Sequence, residues 1–115
     1  MPLDFQQPFT ERTPRVVNAG KLKRAQARRK AKAFLAEGEN AVEAAVATGA
    51  ATDLFVTEAA AERFEEIVRA AGYMDVYTHA ITEKAADSLA DAVTSTGIFA
   101  VCRPVLWTVP KIMKG

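Results

Sequence analysis

Four short apolar runs, separated by segments of helical period, limit how this chain can fold. They are Ala33–Ala36, Leu54–Val56, the stretch 75–78 with Val76 and Tyr77 at its centre, and Ile98–Cys102. The last is the clearest buried strand, a continuous apolar run that starts after Gly97 and is broken by Arg103-Pro104. Between the runs, residues 39–48 place Ala41, Val42, Ala45 and Val46 on one helical face, with Gly49 suited to the C-terminal cap. Thr57 is placed to cap a helix over 58–70 whose inward residues are Ala60, Phe64, Ile67 and Val68, and Gly72 to end it. Thr82 can cap another from 83 to about 92, followed by a loop at 94–97. Strands separated by helices of about ten residues imply crossover connections and a mainly parallel sheet. Such a sheet needs both faces covered, so the expected fold is a three-layer α/β/α sandwich with a mainly parallel four-stranded sheet.

A length of 115 residues suits one domain, and with 50% apolar residues the chain can bury a core without disulfides or metals. Residues 1–19 contain Pro2, Pro8 and Pro14 without an apolar period, which predicts a flexible tail. The domain is then expected over 20–104, and residues 105–115, apolar but interrupted by Pro110, read as a linker stub. Cys102 is the only cysteine, so no intrachain disulfide can form; it reads as a small core residue at a strand end and fits a reducing cytoplasm. No apolar run is long enough to span a bilayer, and the N-terminus lacks the charged-then-apolar pattern of a signal peptide, so no membrane partner is expected.

The net charge of +1 conceals a strong asymmetry. Residues 1–36 hold nine basic and two acidic residues, whereas 37–100 hold three basic and twelve acidic. From Lys21 to Lys32, seven of twelve residues are Lys or Arg and none is acidic. Residues 20–33 are otherwise good helix formers, so a basic helix is expected ahead of the first strand. In it Lys21, Arg24, Arg28 and Lys32 would share one face, and Arg29 and Lys30 would widen it. Such a helix repels itself, and a polyanion relieves that repulsion while releasing counterions. Its apolar side is mostly alanine, too thin for a membrane-surface anchor.

Catalytic constellations are nearly absent. His79 is the only histidine, best read as a surface or half-buried structural residue, and with no Cys pair beside it no usual zinc spacing can be written. No nucleophile elbow, dinucleotide-binding fingerprint or phosphate loop is present. Glu62, Glu65 and Glu66 fall on the polar side of an amphipathic helix.

Arg28-Arg29, then Phe34-Leu35-Ala36-Glu37-Gly38, then Val42-Glu43-Ala44 resemble the start of the substrate-binding domain of SpoU/TrmH-type RNA methyltransferases, of the SPOUT class. That family shows a basic helix, a strand of the form F-L-x-E-G and a helix. Leu54–Thr57 resembles its second strand, and the stretch from Asp91 to Val101 its last loop and strand, with Ser95-Thr96 in place of Pro-Gln. Where the family often carries R-K-G-R, this chain has Ala25-Gln26-Ala27-Arg28, so only Arg28 matches directly.

The resemblance covers about residues 15–104 and implies a fold like that of the ribosomal proteins that bind kink-turn RNA. It also implies a separate knotted domain, absent from this chain, that binds S-adenosylmethionine, dimerises and methylates a ribose 2′-hydroxyl in rRNA or, less favoured, tRNA. This chain would then be the non-catalytic recognition domain, with no cofactor of its own. Lys21, Lys23, Arg24, Arg28, Arg29 and Lys32 would hold phosphates, Glu37-Gly38 would form a turn near the RNA, and Thr94, Thr96 and Gly97 would offer donors from an adjacent loop. The alternatives are a free-standing ribosomal-protein-like RNA-binding protein and a protein-interaction module.

Overall fold

The computed structural model describes residues 3–91 and 96–104. Thr94 and the stub expected over 105–115 lie outside them. The elements in chain order are helices α1 (Pro14–Lys21) and α2 (Ala25–Ala31), strand β1 (Phe34–Glu37), α3 (Glu39–Ala47), β2 (Ala51–Val56), α4 (Glu58–Arg63), α5 (Glu65–Tyr73), β3 (Tyr77–Ala80), α6 (Glu83–Leu89) and β4 (Ile98–Cys102).

The four strands form one sheet in the order β1-β4-β2-β3. β2 and β3 are parallel, but β4 is antiparallel to both β1 and β2. The sheet is therefore mixed, and the expectation of a mainly parallel one fails at β4. The reason lies in α6, whose seven residues span about 10 Å. It starts beside the end of β3, where Ile81 N donates to Val56 O. It finishes beside the end of β1, where Asp91 N donates to Glu37 Oε1. Both points are at one end of the sheet, so α6 crosses over the strands instead of returning along them. The chain re-enters from the end it left, and β4 must run the opposite way.

Alternation on the strands supplies two cores. Ala36, Leu54, Val56, Ile98, Ala100 and Cys102 face α3, α4 and α5, whose Val42, Val46, Ala60 and Ile67 close that side. Phe55 and Phe99 face the other way, onto Val16 and Ala19 of α1 and Ala85, Ala86 and Leu89 of α6. The expected helical cover on both faces is thus present. Thr57 and Thr82 cap as expected, accepting hydrogen bonds from Ala60 N and Ala85 N. The expected 58–70 helix is interrupted at Phe64, which adopts φ −115° and ψ 42°, and resumes to Tyr73, past Gly72. β3 starts two residues later than its apolar centre suggested. Cys102 is fully buried, which pushes its thiol pKa up to about 11 and keeps it protonated.

Residues expected to be a tail are part of the fold. Phe9 bridges to Ile81 in parallel, with Phe9 N donating to Ala80 O and Thr82 N to Phe9 O. Pro14 opens α1 at a position where its missing N–H costs nothing, and Val16 and Ala19 are buried. Two apolar positions one turn apart give no visible period in so short a helix.

Candidate nucleic-acid interface

The basic run does not form the single helix expected over 20–33. α1 ends at Lys21, and Leu22, Lys23 and Arg24 make a tight turn through bonds to Ala19, Gly20 and Lys21 carbonyls before α2 begins. Leu22 is buried by this turn. Arg28 Nη1 closes it by donating to the carbonyls of Leu22 (3.1 Å) and Lys23 (3.0 Å). The break separates charges that a continuous helix would stack, and it dissolves the shared face of Lys21, Arg24, Arg28 and Lys32.

Among the described residues, three cations serve helix C-termini, where carbonyls lack partners and the dipole favours positive charge. Arg28 serves α1 in this way. Lys23 Nζ donates to Ser88 O (2.9 Å) and Ala90 O (3.4 Å) at the end of α6. Arg103 Nη1 donates to Ala31 O (3.1 Å) at the end of α2. Lys21, Arg24, Arg29, Lys30 and Lys32 are exposed, and among the described residues they make no ion pair or side-chain hydrogen bond.

Of the expected contact residues, Glu37, Gly38 and Gly97 come together where β1 and β2 end and β4 begins. Gly38 N donates to Ile98 O, and Thr57 N to Gly97 O. Glu37 accepts from Asp91 N, which follows the α6 terminus that Lys23 holds. Lys23 and Arg24 therefore stand at this end of the sheet. α2 carries the chain back along β1, so Lys32 stands at the other end, about 10 Å away. Thr96 is exposed beside Gly97. The candidate residues thus form a band along one edge instead of a single cluster.

The sequence reading missed a polar cluster beneath α1. Asp53 is buried on β2 and faces α1 by alternation with Phe55, while the register shift at Thr52, the extra residue of a bulge, turns Ala51 to the other core. Its Oδ2 accepts from Arg15 Nη1 (2.9 Å) and His79 Nε2 (2.8 Å), and its Oδ1 from Thr52 Oγ1 (3.0 Å). Burial pulls the carboxyl pKa upward, but the hydrogen bonds from His79 and Thr52 and the charges of His79 and Arg15 outweigh it and hold it below its ordinary value. His79 is sandwiched between Phe9 and Phe55, with ring centroids 5.1 and 5.0 Å away. It is half-buried and structural, as expected. An acidic residue beside an apolar triplet was the signal available in sequence; its partners, 38 and 26 positions away, were not.

A model of the MRM3-like substrate binding domain matches residues 13–100. The chain belongs to this family. The MRM3-like domain also superposes on an rRNA methyltransferase from Sinorhizobium meliloti with a TM-score of 0.69 at 16% identity, covering 86% of this chain and 37% of that one. An AdoMet-bound rRNA methyltransferase from the same organism gives 0.62 at 16%, covering 78% and 33%. An RNA 2′-O ribose methyltransferase gives 0.68 at 20%, covering 84% and 37%. At these identities the likeness is one of fold, and the MRM3-like domain spans about a third of each neighbour's length. No curated protein matches it in sequence. The match bears out the resemblance to a SpoU/TrmH-type substrate-binding domain. Among the described residues no helix is long and apolar enough to cross a membrane, and no group of three His, Cys, Asp or Glu could hold a metal.

Two backbone positions of the MRM3-like domain lead to stability predictions. Gly97 has φ +80°, and a Cβ there would stand 2.6 Å from Thr57 Oγ1 and 3.2 Å from Ala60 Cβ. Gly97→Ala is expected to cost about 2–4 kcal/mol, combining left-handed strain with overpacking. Gly38 has φ +95° and ψ 164° but no atom within 4 Å of an added Cβ, so Gly38→Ala should cost only the backbone strain, about 1–3 kcal/mol. Urea unfolding of the two variants checks this ranking. Lys32 also occupies the left-handed region, at φ 55° and ψ 49°, closing α2 where glycine is preferred. Lys32→Gly is expected to stabilise the fold by about 0.5–1 kcal/mol in the same measurement.

Proposed function

We propose that this chain is the RNA-recognition domain of an S-adenosylmethionine-dependent rRNA ribose 2′-O-methyltransferase and that it binds without catalysing. The observation that carries the reading is the set of five exposed cations on and flanking α1 and α2 that no acidic side chain pairs among the described residues, in a domain of a substrate-binding family. Like charges in such a run repel one another, and a phosphate backbone converts that repulsion into binding energy. Charge polarity supports a one-sided approach. Glu39, Glu43, Glu58, Glu62, Glu65 and Glu66 are exposed on α3, α4 and α5, which cover the opposite face of the sheet from α1.

Ribosomal over transfer RNA is favoured by the neighbours described as rRNA methyltransferases. In this reading S-adenosylmethionine supplies the methyl group and is held outside these residues. The half-buried Glu37 and buried Asp53 are both engaged by internal donors, so neither suits a ribose diol or a sulfonium. The parent enzyme would be cytoplasmic and would dimerise through its other domain.

Fluorescence anisotropy with a structured rRNA fragment, a tRNA and increasing KCl tests the proposal. Tighter binding to the rRNA fragment is expected, with log K falling by about 3.5–4.5 for each tenfold rise in salt if five cations meet phosphates. Affinity that is absent, or independent of salt, would overturn it and favour a protein-interaction module.

A further inference from the structure

A cleft of about 460 Å³ opens over the sheet between α1 and the end of α2. It falls within the range of about 300–1,000 Å³ that ligand sites occupy. Its floor is the partly buried Val101 of β4, packed against the fully buried Phe55 of β2 on the α1-facing side of the sheet. Its walls carry Arg15, Asn18 and Arg103, with Asp53 at the base. Each arginine is anchored through one nitrogen, Arg15 to Asp53 and Arg103 to the Ala31 carbonyl. The rest of each guanidinium fork remains available, already oriented by its anchor.

From this geometry we infer that the cleft takes one unpaired nucleotide of the bound RNA. The base lies against the Val101 side chain, Asn18 offers an amide donor and acceptor to its edge, and Arg15 and Arg103 contact its flanking phosphates. The chemistry favours a nucleotide over an apolar peptide. Two arginines against one carboxylate leave the cleft positive, and it is lined at one side by Ala31, the last residue of the α2 helix that carries the exposed Arg29 and Lys30. Arginine planes and apolar floors hold splayed bases, whereas bases in a duplex are stacked and hidden from such a site. The inference rests on the RNA-recognition reading and adds to it a site that discriminates RNA structure, where the exposed cations supply only affinity for phosphate.

The test uses the full chain and two labelled RNA hairpins, one carrying a single bulged nucleotide and the other fully paired. Wild type is expected to bind the bulged hairpin about tenfold tighter. Asn18→Trp, which fills the cleft from an exposed helix position, should remove that preference while leaving the salt dependence nearly unchanged, and Arg103→Gln should remove it while lowering the salt slope by the one-phosphate increment of about 0.7–0.9. Circular dichroism confirms that each is folded, and either variant alone suffices if the other is not. Equal affinity of wild type for the two hairpins, or a preference that survives both substitutions, would overturn the cleft assignment while leaving RNA recognition standing. Salt-independent or absent binding to both hairpins would overturn both.

Discussion

Replacing Arg24, Arg29, Lys30 and Lys32 together by alanine is expected to lower RNA affinity about a hundredfold at near-physiological salt and to flatten the salt dependence. Each cation removed from a phosphate contact should reduce the slope of log K against log salt by about 0.7–0.9, so the four together remove about 3. Between about 50 and 200 mM salt, wild type should then lose roughly fiftyfold more affinity than the variant. The fold should be largely indifferent, since none of the four has a side-chain partner among the described residues and all are exposed. Arg28→Ala is the informative contrast. Its guanidinium is engaged with the Leu22 and Lys23 carbonyls, so its loss should cost about 1–3 kcal/mol of stability and move the salt slope little. Equal changes of slope in the single and quadruple variants would show that the division between capping and binding cations is wrong. Lys32→Gly adds a test in which the two properties part: stability should rise while RNA affinity falls.

Asp53→Ala is expected to destabilise the fold by about 2–4 kcal/mol, a large effect for a single polar residue. Most of it comes from His79, whose side chain is only 14% exposed and would be left in an aromatic sandwich without its acceptor. Little comes from Arg15, which is 55% exposed and can return to water. Asp53→Asn keeps the shape and removes the charge, which exposes the pH dependence. The carboxyl has a folded pKa below its ordinary value of 3.8, so the ionised form stabilises the native state. That contribution is fully present above the unfolded value and is lost as pH falls through the folded one. The stability gap between wild type and Asp53→Asn should therefore be constant above about pH 5 and shrink as acid protonates Asp53. Urea titrations at a series of pH values would show this, and a gap unchanged down to pH 3 would argue against the network.

Much of the core was legible in the sequence because it depends on local pattern. Ile98–Cys102 and Leu54–Val56 are strands because continuous apolar runs of that length bury on both faces, and Thr57 and Thr82 cap because a hydroxyl before a helix finds a free N–H. The charge asymmetry, and with it an expected polyanion, also needs no coordinates. The helix Pro14–Lys21 was not legible, and its residues read as a tail, because a two-turn helix needs only Val16 and Ala19 to dock, and two positions make no period.

The sequence alone therefore determined the inventory: strands, caps, a basic segment and the family they resemble. Tertiary structure decided the direction of β4, because α6 crosses the sheet end instead of running back along it. It also decided the role of each cation, because a lysine or arginine becomes a cap only when folding brings an unsatisfied carbonyl within reach. Lys23 meets Ser88 across 65 positions, and Arg103 meets Ala31 across 72. Asp53, Arg15 and His79 likewise become one cluster only when α1 lies across β2 and β3. Charge is a property of composition, but a partner is a property of distance, and no local pattern carries distances of that span.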